Sequence, residues 1–164
     1  MNPNATDFIT LMKHPLKYRM FLFFKLPSAF FCGVRLRDID AAHSRVTVPF
    51  KWFSQNPFKS TYFACLAMAA EMSTGVLGLM QLHKRKPAVS MLVVGLEAAY
   101  FKKAVGRTSF ICEDGELIQK MVDETIATGE ARSVKAKSTG RNKDGELIAE
   151  FYITWSFKPK SNKN

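Results

Sequence analysis

Residues Ser60 to Gln81 read STYFACLAMAAEMSTGVLGLMQ, an apolar run of helical length with a single charge, Glu71, near its middle. As a helix it spans on the order of 30 Å, too long for one ordinary strand, so the rest of the chain has to be arranged around it. At 100° per residue Glu71 shares a face with Ala64, Ala67, Gly75 and Gly78, whereas Tyr62, Leu66, Val76 and Met80 project from the opposite side. A carboxylate set in a small-residue seam has two readings. It is either a structural acid paired with a distant Arg or Lys, or a functional acid in a crevice, because a buried unpaired carboxylate is costly and shifts its pKa. A membrane-spanning reading is disfavoured. A charged residue at mid-membrane costs roughly 2.5–3.5 kcal/mol on insertion scales, and strand-like segments flank the run.

Those flanking segments give the fold class. Gly33 to Phe53 alternates apolar and polar residues around a polar turn at Asp38 to His43, which predicts an antiparallel hairpin. His43 falls in that turn and reads as a surface residue. Gln55-Asn56-Pro57-Phe58 is a polar break before the helix, where Asn before Pro is ordinary turn chemistry and Ser60 or Thr61 is available as a cap. His83 to Pro87 closes the helix with basic residues suited to its negative pole. Strands are then expected over Ala88–Phe101 and Arg107–Cys112, a short amphipathic helix over Asp114–Ile126, and a hairpin of Gly129–Ser138 with Glu146–Phe157. This order predicts an α+β fold, an antiparallel sheet wrapped around a long central helix.

Before the first hairpin, Thr6 to Phe31 is rich in Phe, Leu and Met and is broken by Pro15 and Pro27, which predicts two short helices over the main body. Lys13, Lys17, Arg19 and Lys25 interleave with the phenylalanines, so peripheral membrane contact is an alternative role. The 164 residues, 47% of them hydrophobic, suit one domain rather than two. The expected division is a helical segment over 1–31, the main domain over 32–158 and a polar tail over 159–164.

Cys32, Cys65 and Cys112 are odd in number and separated along the chain, and they read as reduced buried thiols; no metal-ligand spacing is present. Asn2 to Asp7 lacks the basic start of a secretory leader, and a cytoplasmic location is expected. The formal net charge of +10 favours anionic partners. Its charge is dispersed, however, and the aromatics lie mainly in apolar runs rather than between basic residues, so nucleic acid is not an expected partner.

The order of hairpin, Asn-containing loop, acid-bearing apolar helix and antiparallel strands resembles the hotdog fold of acyl-CoA thioesterases and dehydratases. Asn56 precedes Glu71 by fifteen residues, similar to the thioesterase pattern of a loop Asn or Gln, a His-Gly-Gly helix start and a helical acid. The stretch AVSMLVVGLEAAYFKKAVG resembles the family strand ending in an aromatic, a basic residue and a Gly turn. Leu66 to Glu71 with the Phe31-to-Phe50 region most resembles the uncharacterised DUF4442 branch. The resemblance implies an acyl-CoA thioesterase in which Glu71 acts as general base or nucleophile. Asn56 would orient water or thioester, and Thr74 would hydrogen-bond the acid or the water. The helix start, Tyr62, Phe63 and Ala64, would bind the thioester and polarise its carbonyl. It further implies coenzyme A thioester as substrate or ligand with no separate cofactor. A homodimer or dimer of dimers would build the site, and phosphate contacts would come from Lys102, Lys103, Arg107, Arg141 or Lys143. A noncatalytic module that binds acyl-CoA or a fatty acid is the alternative. Tyr62-Phe63-Ala64 departs from His-Gly-Gly, and the glycine that admits a thioester close to the helix backbone is absent. A dehydratase is disfavoured, since no histidine lies near the acid in sequence.

Overall fold

The computed structural model describes residues 2–160. Three short helices open the chain, α1 (Ala5–Lys13), α2 (Pro15–Lys25) and α3 (Pro27–Cys32), where two were expected. Pro15 and Pro27 each stand at the first position of a helix, so the prolines start new helices as well as ending old ones. Strands β1 (Arg35–Ile39) and β2 (Ser44–Val48) form the first hairpin, and a single 3-10 turn at Trp52–Ser54 leads to the long helix α4 (Phe63–Leu82). Then follow β3 (Val89–Tyr100), β4 (Thr108–Cys112), α5 (Gly115–Thr128), β5 (Arg132–Arg141) and β6 (Leu147–Pro159). The strand that reaches Pro159 extends into the expected polar tail, of which residues 161–164 lie outside the described residues.

All six strands join one antiparallel sheet in the order β1-β2-β4-β5-β6-β3. The sheet wraps around α4, as the alternation of the flanking segments predicts. On the sheet side of α4, Ser73 Oγ lies 2.7 Å from Ser138 Oγ on β5, and Ser44 Oγ on β2 donates to the Ser73 carbonyl. These bonds satisfy hydroxyls that are fully buried. The small-residue seam meets large side chains of the sheet. A Cβ built on Gly78 would stand 2.5 Å from Met91 Cε, and one on Gly75 would stand 3.0 Å from Trp155 Cζ2. The helix therefore needs the two glycines to lie this close to β3 and β6.

The two ends of α4 differ: the amino end is left uncapped among the described residues, and the carboxyl end is closed by a residue that local sequence does not indicate. No side chain caps its amino end: Ser60 Oγ bonds the Asn56 side chain, and Thr61 Oγ1 donates to the Ala104 carbonyl. At the other end the buried Asn2 amide nitrogen donates to the carbonyls of Met80 and His83 at 2.9 and 2.8 Å. A distant side chain thus supplies the missing partners of the last helical turn. Cys32 and Cys65, distant in sequence, are free thiols whose sulfurs lie 3.4 Å apart where α3 meets α4.

The start of α5 is a point of close approach. The Gly115 amide donates to the Ala42 carbonyl, and an added Cβ would lie 2.3 Å from Ala41 O and 2.6 Å from Ala42 O. Backbone oxygens cannot rotate away, so Gly115→Val is expected to destabilise the fold by about 1–3 kcal/mol or more, read as a lowered midpoint in urea.

Candidate functional site

Glu71 sits halfway along α4, on the flank between the sheet and the amino-terminal helices. It lines a cavity of about 520 Å³ whose wall is mainly apolar, with Met72, Val76 and Leu79 from α4, Met12 and Tyr18 from α1 and α2, and Met91 and Trp155 from the sheet. Val76, across the helix from Glu71 on a wheel projection, lines the same cavity because the short helices wrap around that flank. Tyr18 closes the wall from within. Its hydroxyl donates to Met72 Sδ and accepts from the Leu36 amide, both at 3.0 Å, and burial pushes its pKa up to about 12.

No ion pair or hydrogen bond to the Glu71 carboxylate is present among the described residues. Of the two readings, the intrachain salt bridge is therefore not the one the structure contains. Burial raises the Glu71 pKa above its ordinary 4.5, with no opposing cation to hold it down. Gly75, one turn on, leaves the space the carboxylate occupies, since a Cβ there would lie 3.3 Å from Glu71 Oε1. The helix backbone at Glu71 is held in place by Thr74, whose fully buried hydroxyl donates to the Glu71 carbonyl at 3.0 Å and accepts from Trp155 Nε1 at 2.8 Å. The hydroxyl is thus engaged with backbone and indole rather than with the carboxylate.

The raised pKa has a stability consequence of definite sign. Between pH 4.5 and the higher native value the folded chain binds more protons than the unfolded one, so stability falls as pH rises through that window. Glu71→Gln is accordingly expected to melt a few degrees higher than wild type at neutral pH, with the difference closing below pH 4.5. Thermal denaturation of both proteins across this range checks it.

Asn56 lies elsewhere. Its side-chain oxygen accepts from the amides of Phe58 and Ser60 at 3.0 and 3.2 Å and from Ser60 Oγ, so it shapes the loop before α4. It lines a second cleft, of about 550 Å³, with Tyr62, Phe63, Leu66, Tyr100, Lys102 and Lys103 among its neighbours. Here the uncapped start of α4 is exposed. The Phe63 and Ala64 amides have no acceptor among the described residues, while Cys65 and Leu66 already bond the Tyr62 carbonyl. Free N–H groups at the positive pole of a 20-residue helix favour an anion or a polarised carbonyl oxygen. Phe63 is 56% exposed and turned outward, so it does not cover these amides by folding into the core.

Within one chain, then, the acid and the helix start face different cavities. Eight residues separate Phe63 from Glu71, about 12 Å of helix. His83 also lines the Glu71 cavity, packed at a tilt on Phe8, but twelve positions along the helix put it about 18 Å from Glu71 along the axis. Within one chain that separation keeps the dehydratase reading disfavoured.

A third cleft, of about 790 Å³, adjoins the second through Lys102, Lys103 and Ala104. It gathers Lys102, Lys103, Arg107 and Lys143 as grouped in the sequence, and adds Arg37 and Arg45 from the first hairpin, which alternation presents as an ordinary solvated face. Asp144 and Glu146 are the acids of this cleft, and Lys102 pairs with Glu146 at 2.5 Å. Arg141 is not in its lining; its guanidinium donates to the Gly145 carbonyl at 2.9 Å and closes its own turn.

A long helix bearing one half-buried acid, clasped by an antiparallel sheet, is the arrangement of a hotdog fold. The chain belongs to the DUF4442 family, a domain of unknown function, whose model matches residues 18–157. Solved structures of the same fold include a Pseudomonas aeruginosa protein described as a probable thioesterase, at 18% identity and TM-score 0.74, covering 92% of this chain and 99% of that one. A thioesterase from Haemophilus influenzae matches at 9% identity and TM-score 0.59, with 88% and 92% of the two chains covered. A mutant thioesterase from P. aeruginosa matches at 10% identity and TM-score 0.62, with 98% and 97% covered. Comparison with curated protein sequences finds no match. At these identities the structural likeness defines the fold, and the chemistry has to be argued from the residues.

Proposed function

We propose that the protein hydrolyses acyl thioesters of coenzyme A at a site shared between two copies of the chain. The observation that carries this reading is the Glu71 carboxylate, half-buried in the wall of an apolar cavity with no ion pair among the described residues. Such a group is a stronger base than one in water, and nothing in the packing explains its retention as a stabilising element.

The second copy supplies what one chain lacks. Strand β3 is an edge strand, bonded only to β6 among the described residues, and it exposes Leu92, Val94 and Leu96 along twelve residues. A long, apolar, unprotected edge is a template for another strand. Pairing of two β3 edges about a two-fold axis sets the two α4 helices antiparallel, so the amino end of one comes opposite the middle of the other. Glu71 of one copy then shares a site with the Phe63 and Ala64 amides of its mate.

In that site Glu71 takes a proton from water as the water oxygen bonds to the thioester carbonyl carbon. The carbonyl oxygen gains the negative charge and is held by the free amides at the positive pole of α4. When the tetrahedral intermediate collapses, the C–S bond breaks, and the sulfur leaves with the proton Glu71 has carried. The products are a carboxylic acid and a free thiol. Attack by Glu71 itself, followed by hydrolysis of the resulting anhydride, leads to the same products. The apolar cavity accommodates an acyl chain, and the basic cleft next to the helix start suits the phosphates of coenzyme A.

The alternative is a module that binds acyl-CoA without cleaving it. It is favoured by Phe63, which stands where the related helix start has glycine. One assay separates the two: purified protein with acyl-CoAs of graded chain length, thiol release followed against Glu71→Gln and Glu71→Ala. Release by wild type well above both variants supports hydrolysis. Tight binding with release no greater than that of the variants assigns the carrier role instead.

A further inference from the structure

We infer that the outer face of the amino-terminal helices is a docking surface for an anionic lipid bilayer. Helix α2 has two sides. Its inner side sends Tyr18 and Leu22 into the core, and its outer side exposes Leu16, Met20, Phe23 and Phe24. The exposed rings continue beyond the helix as one connected series. Phe23 packs on Phe24 and Phe31 at 5.2 and 6.3 Å between centroids, Phe31 on Phe53 at 5.8 Å, and Phe53 on Trp52 at 4.8 Å. Phe24 and Trp52, at the two ends, are 70% and 75% exposed. A contiguous aromatic surface of this kind marks an interaction site rather than scattered surface apolarity.

Charge identifies the occupant. From Phe8 to Arg37 the chain carries Lys13, Lys17, Arg19, Lys25, Arg35 and Arg37 and no Asp or Glu, and Ala41 to Ala70 is likewise free of acids while contributing Lys51. Arg19 lies over the Phe30 ring at 5.2 Å. Lys17, Arg19, Lys25 and Lys51 make no ion pair among the described residues. Aromatic rings flanked by unpaired cations match the boundary of a bilayer, where rings sit at headgroup depth and the cations meet lipid phosphates. A second copy of the chain fits poorly. Self-association through this face would press two basic, acid-free surfaces together. Docking would also place the Glu71 cavity beside the bilayer, since Phe21, Lys25 and Leu26 line that cavity from the same helix and the turn after it.

The test needs no enzymatic activity. The full chain is floated with vesicles of phosphatidylcholine alone and of phosphatidylcholine with phosphatidylglycerol, at low and high salt. Co-flotation is expected with the anionic vesicles and is expected to weaken with salt. Phe24→Asp with Trp52→Asp is expected to lower partitioning at least about tenfold, and separately Lys17→Glu with Lys51→Glu at least about 25-fold, at about fivefold or more per basic residue. All four side chains are exposed, so the melting temperature should not move. The inference is overturned if the protein stays with the soluble fraction at low salt, if neutral and anionic vesicles bind it equally, or if both double variants float like wild type. A change of molar mass in either double variant by light scattering also overturns it, and assigns the face to protein association.

Discussion

Glu71→Gln is expected to lower kcat/KM for acyl-CoA hydrolysis by about 10²–10⁴-fold, nearly all of it in kcat. The substitution keeps the shape and the hydrogen-bonding capacity of the side chain but removes the group that takes the proton. KM should change little, because Glu71 lines the cavity among apolar side chains and no hydrogen bond ties its carboxylate to the wall. The variant is also expected to be the more stable protein at neutral pH, since burial disfavours the ionised form that catalysis uses. Loss of turnover together with gain of stability is the signature of a functional buried acid. A merely structural carboxylate would show the opposite sign in the melting experiment.

The second large effect concerns assembly. Val94→Lys with Leu96→Lys places two cations on the exposed edge of β3 without touching the core, since both side chains point outward. Charges on an edge strand block pairing with another strand. The double variant is expected to halve the molar mass measured by light scattering. It should also reduce hydrolysis to the level of Glu71→Gln, because separated copies no longer bring the acid of one to the helix start of the other. Retained activity in a proven monomer would show that one chain completes the site alone.

The elements were largely legible in the sequence because each carries its own periodicity. The apolar run of α4 with Glu71 at its centre and the alternation of β1 and β2 could both be read locally. The joints between elements could not. Asn2 caps the last turn of α4 from 78 and 81 residues away, and Cys65 meets Cys32 across the α3–α4 contact. Neither pairing has a periodic signature. The same limit applies to the site. Spacing placed Asn56, Phe63 and Glu71 on a loop and a helix, but the rise of that helix sends the acid and the free amides into separate cavities of one chain. Ser60, Thr61 and Thr74 show a related limit. Their hydroxyls are suitable caps or catalytic donors by type, yet tertiary partners claim them: Asn56, the Ala104 carbonyl, and Trp155 with the Glu71 carbonyl. Tyr18 and Trp155 wall the Glu71 cavity from elements far from α4 in the sequence.

Glu71 as the base for thioester hydrolysis is tested most directly by the pH dependence of thiol release under kcat/KM conditions, for wild type and Glu71→Gln side by side. Wild type is expected to gain activity along a single ionisation whose midpoint lies above the ordinary glutamate value of 4.5, reaching a plateau towards neutrality. Glu71→Gln should lack that limb. Release that is the same in both proteins at every pH, while both bind the acyl-CoA, would contradict the account.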